Sequence, residues 1–246
     1  MILRDTATVF TREITPSLRE PVSLLFEMGQ PLFFLFIFGS LLPGGGDWQW
    51  FVPGILVMMC LMGPLGSGYH LLVELMSGSM ERLTVTPLNR TALLAGRALK
   101  ESSVLLAQAV LIVVLAVPLG FELHPLGILA GLALLVVLGL GLSSLSFVLA
   151  IKSAPSGTLF YVVSQLLIFP MLLLSGVLLP LDSGPAWLRA VGAANPLAHI
   201  VSAERALFAG SFQNLSILYG AAGATVFAII GLVLGNRAMR RGLSGR

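Results

Sequence analysis

Residues 125–151, PLGILAGLALLVVLGLGLSSLSFVLAI, hold no charged side chain and are apolar on every side. A run of this length exceeds the roughly 18–20 residues with which a helix crosses a hydrocarbon layer. Barrel strands would be about ten residues long, with apolar and polar side chains alternating, so the run argues against a barrel. Comparable runs occur at 22–42, 51–76, 102–119, 157–179 and 214–236. The chain therefore reads as an all-α membrane protein, one domain over residues 1–246 with six transmembrane helices. Composition agrees: 57% of its 246 residues are hydrophobic and 10% charged, against roughly 45–50% and 25% in soluble domains. One globule could not hide that much apolar surface.

The basic residues orient the spans. With a cytoplasmic amino terminus, Arg4, Arg12, Arg19, Arg82, Arg90, Arg97, Lys100, Lys152, Arg237, Arg240, Arg241 and Arg246 all face the cytoplasm, leaving Arg189 and Arg205 outside. The positive-inside bias over short loops makes both termini cytoplasmic and the protein a multi-pass resident of the cytoplasmic membrane. Anionic membrane lipid accounts for the +3 net charge, and no nucleic-acid partner is called for. The single cysteine, Cys60, lies inside the second run and offers neither a disulfide nor a cysteine-based metal site. No A-x-A-like exit follows the first run, so a cleaved signal peptide is not expected.

Ahead of the first span, in residues 1–20, Leu3, Phe10, Ile14 and Leu18 recur at helical spacing while the charges point elsewhere. This predicts an amphipathic interfacial helix rather than a frayed polar tail, bent or ended by Pro16 and Pro21. On the outer side, Trp48 and Trp50 suit an aromatic belt. Residues 180–211 are half apolar but broken by Pro180, Pro185 and Pro196. Such a stretch is expected to fold back into the outer leaflet as short re-entrant helices, tolerated where protein covers their ends.

The least apolar passage of the interior is SGSMERLTVTPLNRTALLAGRALK, residues 77–100. Gly78 breaks the second span, Ser79 can cap a new helix and Glu81 suits its first turn. Pro87 then forces Thr86 out of the α region. Fewer than two helical turns are marginal alone in water, so Met80, Leu83 and Leu88 need an apolar partner surface. A plain connector packed on its own bundle is the alternative.

GSMERLTVTPLNR…LLAGR resembles the G-T-x-E-x-L-x-V-T-P-L-S-R…G-K segment of ABC transporter permeases of the type-2 (ABC-2) family. The match falls at Gly78, Glu81, Leu83, Val85, Thr86, Pro87, Leu88, Arg90 and Gly96. Downstream, LLSGVLLPLDSGPAWLRAVGAANPLAHIVSAERALFAG is similar to that family's S-G-V-x-x-P…P-x-W-L…N-P-L…R-x-L-x-x-G region, through Ser175, Gly176, Pro180, Pro185, Trp187, Asn195, Pro196, Arg205 and Gly210. Ser79, Asn89 and Arg97 replace Thr, Ser and Lys of the pattern. The resemblance implies that residues 78–90 form a coupling helix that docks on a separate nucleotide-binding ATPase subunit, through Met80, Glu81, Leu83, Pro87, Leu88 and Arg90. The broken stretch itself would cap the pathway from outside, as an outer gate carrying Pro180, Pro185, Trp187, Asn195, Pro196 and Arg205. A second copy, or a paralogous permease, would complete the pathway. ATP and Mg would be bound by the partner, since G-x-x-x-x-G-K-[ST] is absent here; no cofactor and no catalytic residue is expected in this chain.

Among intramembrane polar residues, Glu27 and Gln30 lie early in the first span, and His70 and Glu74 one turn apart in the second. His70 with Glu74 has the spacing of half a metal site, but no second pair matches, so no metal is expected. A proton relay is one reading, and structural contacts that pair Glu74 and Glu101 with nearby bases are another. The pairs Gly127/Gly131 and Gly231/Gly235 allow close helix approach and are candidates for a dimer seam. The expected function is the permease subunit of an ATP-driven exporter of amphiphilic small molecules: drugs, natural products or lipid-like compounds. The alternatives are an exporter of glycans or lipids within the same family, an ion-coupled secondary transporter using His70 and Glu74, and a membrane scaffold.

Overall fold

The computed structural model describes residues 2–19, 21–41, 47–77, 90–178, 180–181 and 184–242, with the backbone alone at 2, 21, 23–27, 90 and 239–242. Every regular element among them is helical. α1 (Ile2–Arg19) runs through Pro16 without breaking, and α2 covers Pro21–Phe33. Pro16, expected to bend or end the first helix, lies inside it, and residue 20, just before Pro21, lies outside the described residues. α2 widens into a π-helical stretch at Phe34–Phe38 and returns to α geometry over Gly39–Leu41.

α3 (Trp48–Met76) starts where the Asp47 side chain accepts a 3.0 Å hydrogen bond from the Trp50 backbone N–H. Its first half, through Leu61, is the most buried stretch among the described residues. α4 (Arg90–Ala116) begins well before the hydropathic run at 102 and ends through a 3₁₀ turn, Val117–Leu119. α5 (Pro125–Ser153) turns through Gly157 into α6 (Thr158–Leu173). The expected run to 179 is cut short there, because the chain turns at Gly176 with φ of 73°, a backbone region that favours glycine. α7 (Ala186–Ala194) and α8 (Pro196–Phe208) fill the proline-broken stretch, and α9 covers Leu215–Gly242.

Among the described residues, four helical stretches are long and apolar enough to cross a membrane: Trp48–Met76, Thr91–Leu119, Pro125–Ser153 and Leu215–Ala238. The first and fifth expected spans correspond to shorter apolar helices, Met28–Leu41 and Thr158–Leu173. α5 is the hub, packed on α3 along one side and α9 along the other.

Glycines set these approaches, and they correct the expected dimer seam. A Cβ on Gly231 would run into the Gly141 backbone, and one on Gly235 would crowd Ser144, so this pair joins α9 to α5 within the chain. Gly127 meets the Leu207 carbonyl, and Gly131 meets Phe208 and Glu204, so the other pair seats α8 on α5. Close approach was the right property, but the partners are intramolecular. The aromatic belt also needs correction at Trp48, which is buried against Gly39.

Candidate functional site

One end of the bundle, where α1 lies and which the basic residues led one to expect on the inner side, gathers charge and is termed the inner end. α1 lies along α4 because Gly96 lets Val9 and the Thr6 carbonyl come close. This buries Val9 and leaves Leu3 and Leu18 exposed, so the apolar stripe that packs is centred differently from the one read at 3, 10, 14 and 18. One turn of α1 beyond Val9, Glu13 reaches Arg97 at 3.3 Å, and Arg97 Nη2 also donates to Glu74 Oε2. The guanidinium, 7% exposed, thus joins α1, α3 and α4. Lys100 pairs with Glu101 at 3.0 Å. Both acids take the basic partners expected of structural contacts. Above, Thr91 donates to Asn236 Oδ1 at 2.9 Å, fastening α4 to α9.

Next to these pairs are two cavities of about 280 and 370 Å³ that share Ser67, His70, Lys100 and Glu101. The first reaches between α2, α3 and α4, with a wall of Met58, Met59 and Met62 facing Gln30 and Gln108. The second opens toward Glu13 and Ser17 of α1. Together they make a chamber with an adaptable thioether wall and hydrogen-bonding groups of both senses, its acids and bases largely paired. His70 is exposed and lines both cavities. No group of three or more His, Cys, Asp or Glu able to hold a metal occurs among the described residues.

At the other end α7 and α8 form a hairpin tied to backbone rather than to charge. Asn195 caps α8, its Oδ1 accepting from the Leu197 N–H at 3.0 Å while its Nδ2 donates to the Met171 carbonyl at 3.0 Å. Pro196 takes the first helical position, where proline fits. Arg205 Nε donates to the Trp50 carbonyl at 2.9 Å and Nη2 to the Gly176 carbonyl at 2.8 Å. The guanidinium lies 3.7 Å above the centroid of the Trp50 ring, a favourable cation–π geometry. Gln49 adds a bond from its Nε2 to the Phe208 carbonyl at 2.7 Å and accepts one from the Glu122 N–H at 3.0 Å.

Of the expected outer residues, Asn195, Pro196 and Arg205 therefore converge on this clamp. Pro185 caps α7, while Pro180 is exposed and Trp187 is 66% exposed away from the clamp. Gln49 and Trp50 complete the clamp without having been singled out for it; their position just inside the α3 cap was the available signal. Met80, Glu81, Leu83, Pro87 and Leu88 lie outside the described residues. Arg90 begins α4 and Glu27 lies within α2, both described by backbone alone.

The pattern of the ABC-2 type transporter family matches residues 4–209. The chain belongs to that family. Its members are membrane transport components whose ATPase activity resides on a separate subunit, usually in a dimeric arrangement. The chain is similar to the protein named transport permease ycf38 of Cyanophora paradoxa, 31% identical over 204 residues, covering 78% of this chain and 70% of that one. It is also similar to the daunorubicin resistance ABC transporter permease protein DrrB1 of Streptomyces coeruleorubidus, 28% identical with the same coverages. Nodulation protein J of Rhizobium leguminosarum bv. viciae is 30% identical over 53% of this chain and 49% of its own length.

Proposed function

We propose that the chain is the permease half of an ATP-driven exporter of amphiphilic small molecules in the cytoplasmic membrane. In this reading it has six crossings and both termini on the cytoplasmic side. The observation that carries the reading is the two-part chamber, whose methionine wall suits an apolar body and whose Ser67, His70 and Gln108 suit a polar end. An amphiphile enters it beside α1, from the inner interface. ATP binding to the partner subunit favours the outward state to the extent that the partner binds the two states unequally. Residues 78–90 transmit that difference, with Met80, Leu83 and Leu88 buried in the partner and Glu81 paired across the interface. The hairpin of α7 and α8 caps the exit. Glu74 is ion-paired to Arg97, which argues against the alternative in which His70 and Glu74 carry a coupling ion.

The test is reconstitution with the cognate ATPase. Leu83→Ala removes a docked side chain worth on the order of 2–4 kcal/mol as an interface hot spot, and Glu81→Ala a desolvated carboxylate worth about 2–5 kcal/mol. Both variants should insert normally yet lose complex recovery, substrate-stimulated ATP hydrolysis and export together. Wild-type values in both would remove residues 78–90 as the coupling element.

A further inference from the structure

The outer hairpin holds one carboxyl group that neither the clamp nor the chamber uses. Glu204 precedes Arg205 on α8, but the two side chains diverge: Arg205 reaches the Trp50 and Gly176 carbonyls, whereas Glu204 points into the seam with α5. It is 0% exposed, and neither of its oxygens has a hydrogen-bond partner. A Cβ on Gly131 would stand 2.5 Å from Glu204 Oε2, so the seat exists because that side chain is missing, and Phe208 lies against the same glycine.

The titratable groups of the surrounding elements do not neutralise it. Cys60 of α3 is close enough to feel its charge. His124, at the head of α5, lies beside Gly210. Tyr219 of α9 packs near the His199 ring, whose Nε2 is 3.0 Å from the Ala193 carbonyl, and Arg189 of α7 is exposed. Desolvation pushes the Glu204 carboxyl well above the usual carboxylate range. An ionised group in this seat would be a buried charge without a counter-ion.

We propose that Glu204 is a proton-binding site, occupied while the outer hairpin is seated on α5 and emptied when the hairpin lifts and water reaches the carboxyl. The sign follows from linkage. Seated, the group holds its proton; lifted, it titrates as an ordinary free glutamate does, at about 4.3. Each pH unit above that value favours the lifted state about tenfold, until the seated group also ionises. Alkaline medium therefore loosens the outer cap, with no ATPase involved, which separates this inference from the export reading.

Cys60 supplies the reporter, being the chain's single thiol and fully buried near the seat. The full-length chain in phosphatidylcholine vesicles is treated with a maleimide from mildly acid to mildly alkaline pH. In Glu204→Gln the rate should rise about tenfold per pH unit, from thiolate formation alone. In wild type, lifting should add up to about another tenfold per unit. Equal slopes overturn the proposal. Glu204→Leu serves the same purpose should the glutamine variant not fold. Infrared spectra of the same vesicles at neutral pH give a second reading that does not depend on access to Cys60. Wild type should show a protonated-carboxyl C=O band that the variants lack, and its absence in wild type also overturns the assignment.

Discussion

The two ends of the bundle are held together by different chemistry. At the inner end Arg97 bridges Glu13 and Glu74, side chain to side chain, with both carboxylates partly open to solvent. At the outer end Arg205, Asn195 and Gln49 hold backbone carbonyls of α3, α6 and α8. Solvated carboxylates can exchange a partner for water at little cost, since exposed ion pairs contribute only about 0–1 kcal/mol. The carbonyls of the buried Gly176 and Phe208 cannot, because an abandoned buried acceptor costs about 1–3 kcal/mol. The inner junction can be rearranged by a docked subunit or substrate, whereas the outer one fixes the position of the hairpin and must be displaced as a body.

The largest test of this contrast is Arg205→Ala. It removes charge-assisted bonds worth about 1.5–3 kcal/mol each together with the stacking on Trp50. Thermal unfolding in detergent should register a loss on the order of 3–5 kcal/mol, and Arg205→Lys should recover only part of it, because an ammonium cannot reproduce the fork. A loss below about 1 kcal/mol would place the outer clamp in the same class as the inner pairs.

A middle-sized effect is expected where helices touch. Gly127→Ala drives a methyl group into the Leu207 carbonyl at the outer seam and should cost about 1–3 kcal/mol by overpacking. Gly66→Ala, on the chamber wall with nothing within 4 Å of the new carbon, should instead be neutral or stabilise by up to about 1 kcal/mol. Equal costs at the two sites would mean that the inner chamber is as tightly packed as the outer seam.

The smallest effect belongs to the inner pairs themselves. Arg97 is buried, but its acids are partly solvated, so Arg97→Met should destabilise by only about 1–2 kcal/mol. Added salt should shrink the difference from wild type. Salt-insensitive loss of the size expected for Arg205→Ala would show the junction to be a rigid clamp after all.

What could be read from sequence divides along the same line. Asn195 and Pro196 were picked out only as a motif and a break; that they cap and open α8 is chemistry between near neighbours in the chain, and so was within reach of the sequence. Four of the hydropathic runs and the pairing of Glu74 and Glu101 with bases were legible for similar reasons: length and proximity along one or two helices decide them. The Trp50 stack was not, because it depends on Arg205 arriving from a distant segment. Glu204 stands beside an arginine in the sequence, where an acid looks already paired, yet the helix sends the two side chains apart and Gly131 of α5 decides the outcome. The glycine pairs declared close packing but not with whom. Pattern predicts that a surface will be buried; topology chooses what buries it.

The widened turn at Phe34–Phe38 has a mechanical meaning. A π-helical stretch holds an extra residue within the spiral. Were it to tighten to ordinary α geometry by passing one residue along, the chain beyond would rotate by about 100° and shift by about 1.5 Å. Phe36, Ile37 and Phe38, all exposed, would then sweep to a new bearing. Leu35 is fully buried and Gly39 lies against Trp48, so that step would have to lift both off the core, and the extra residue marks where the first apolar helix is keyed to α3.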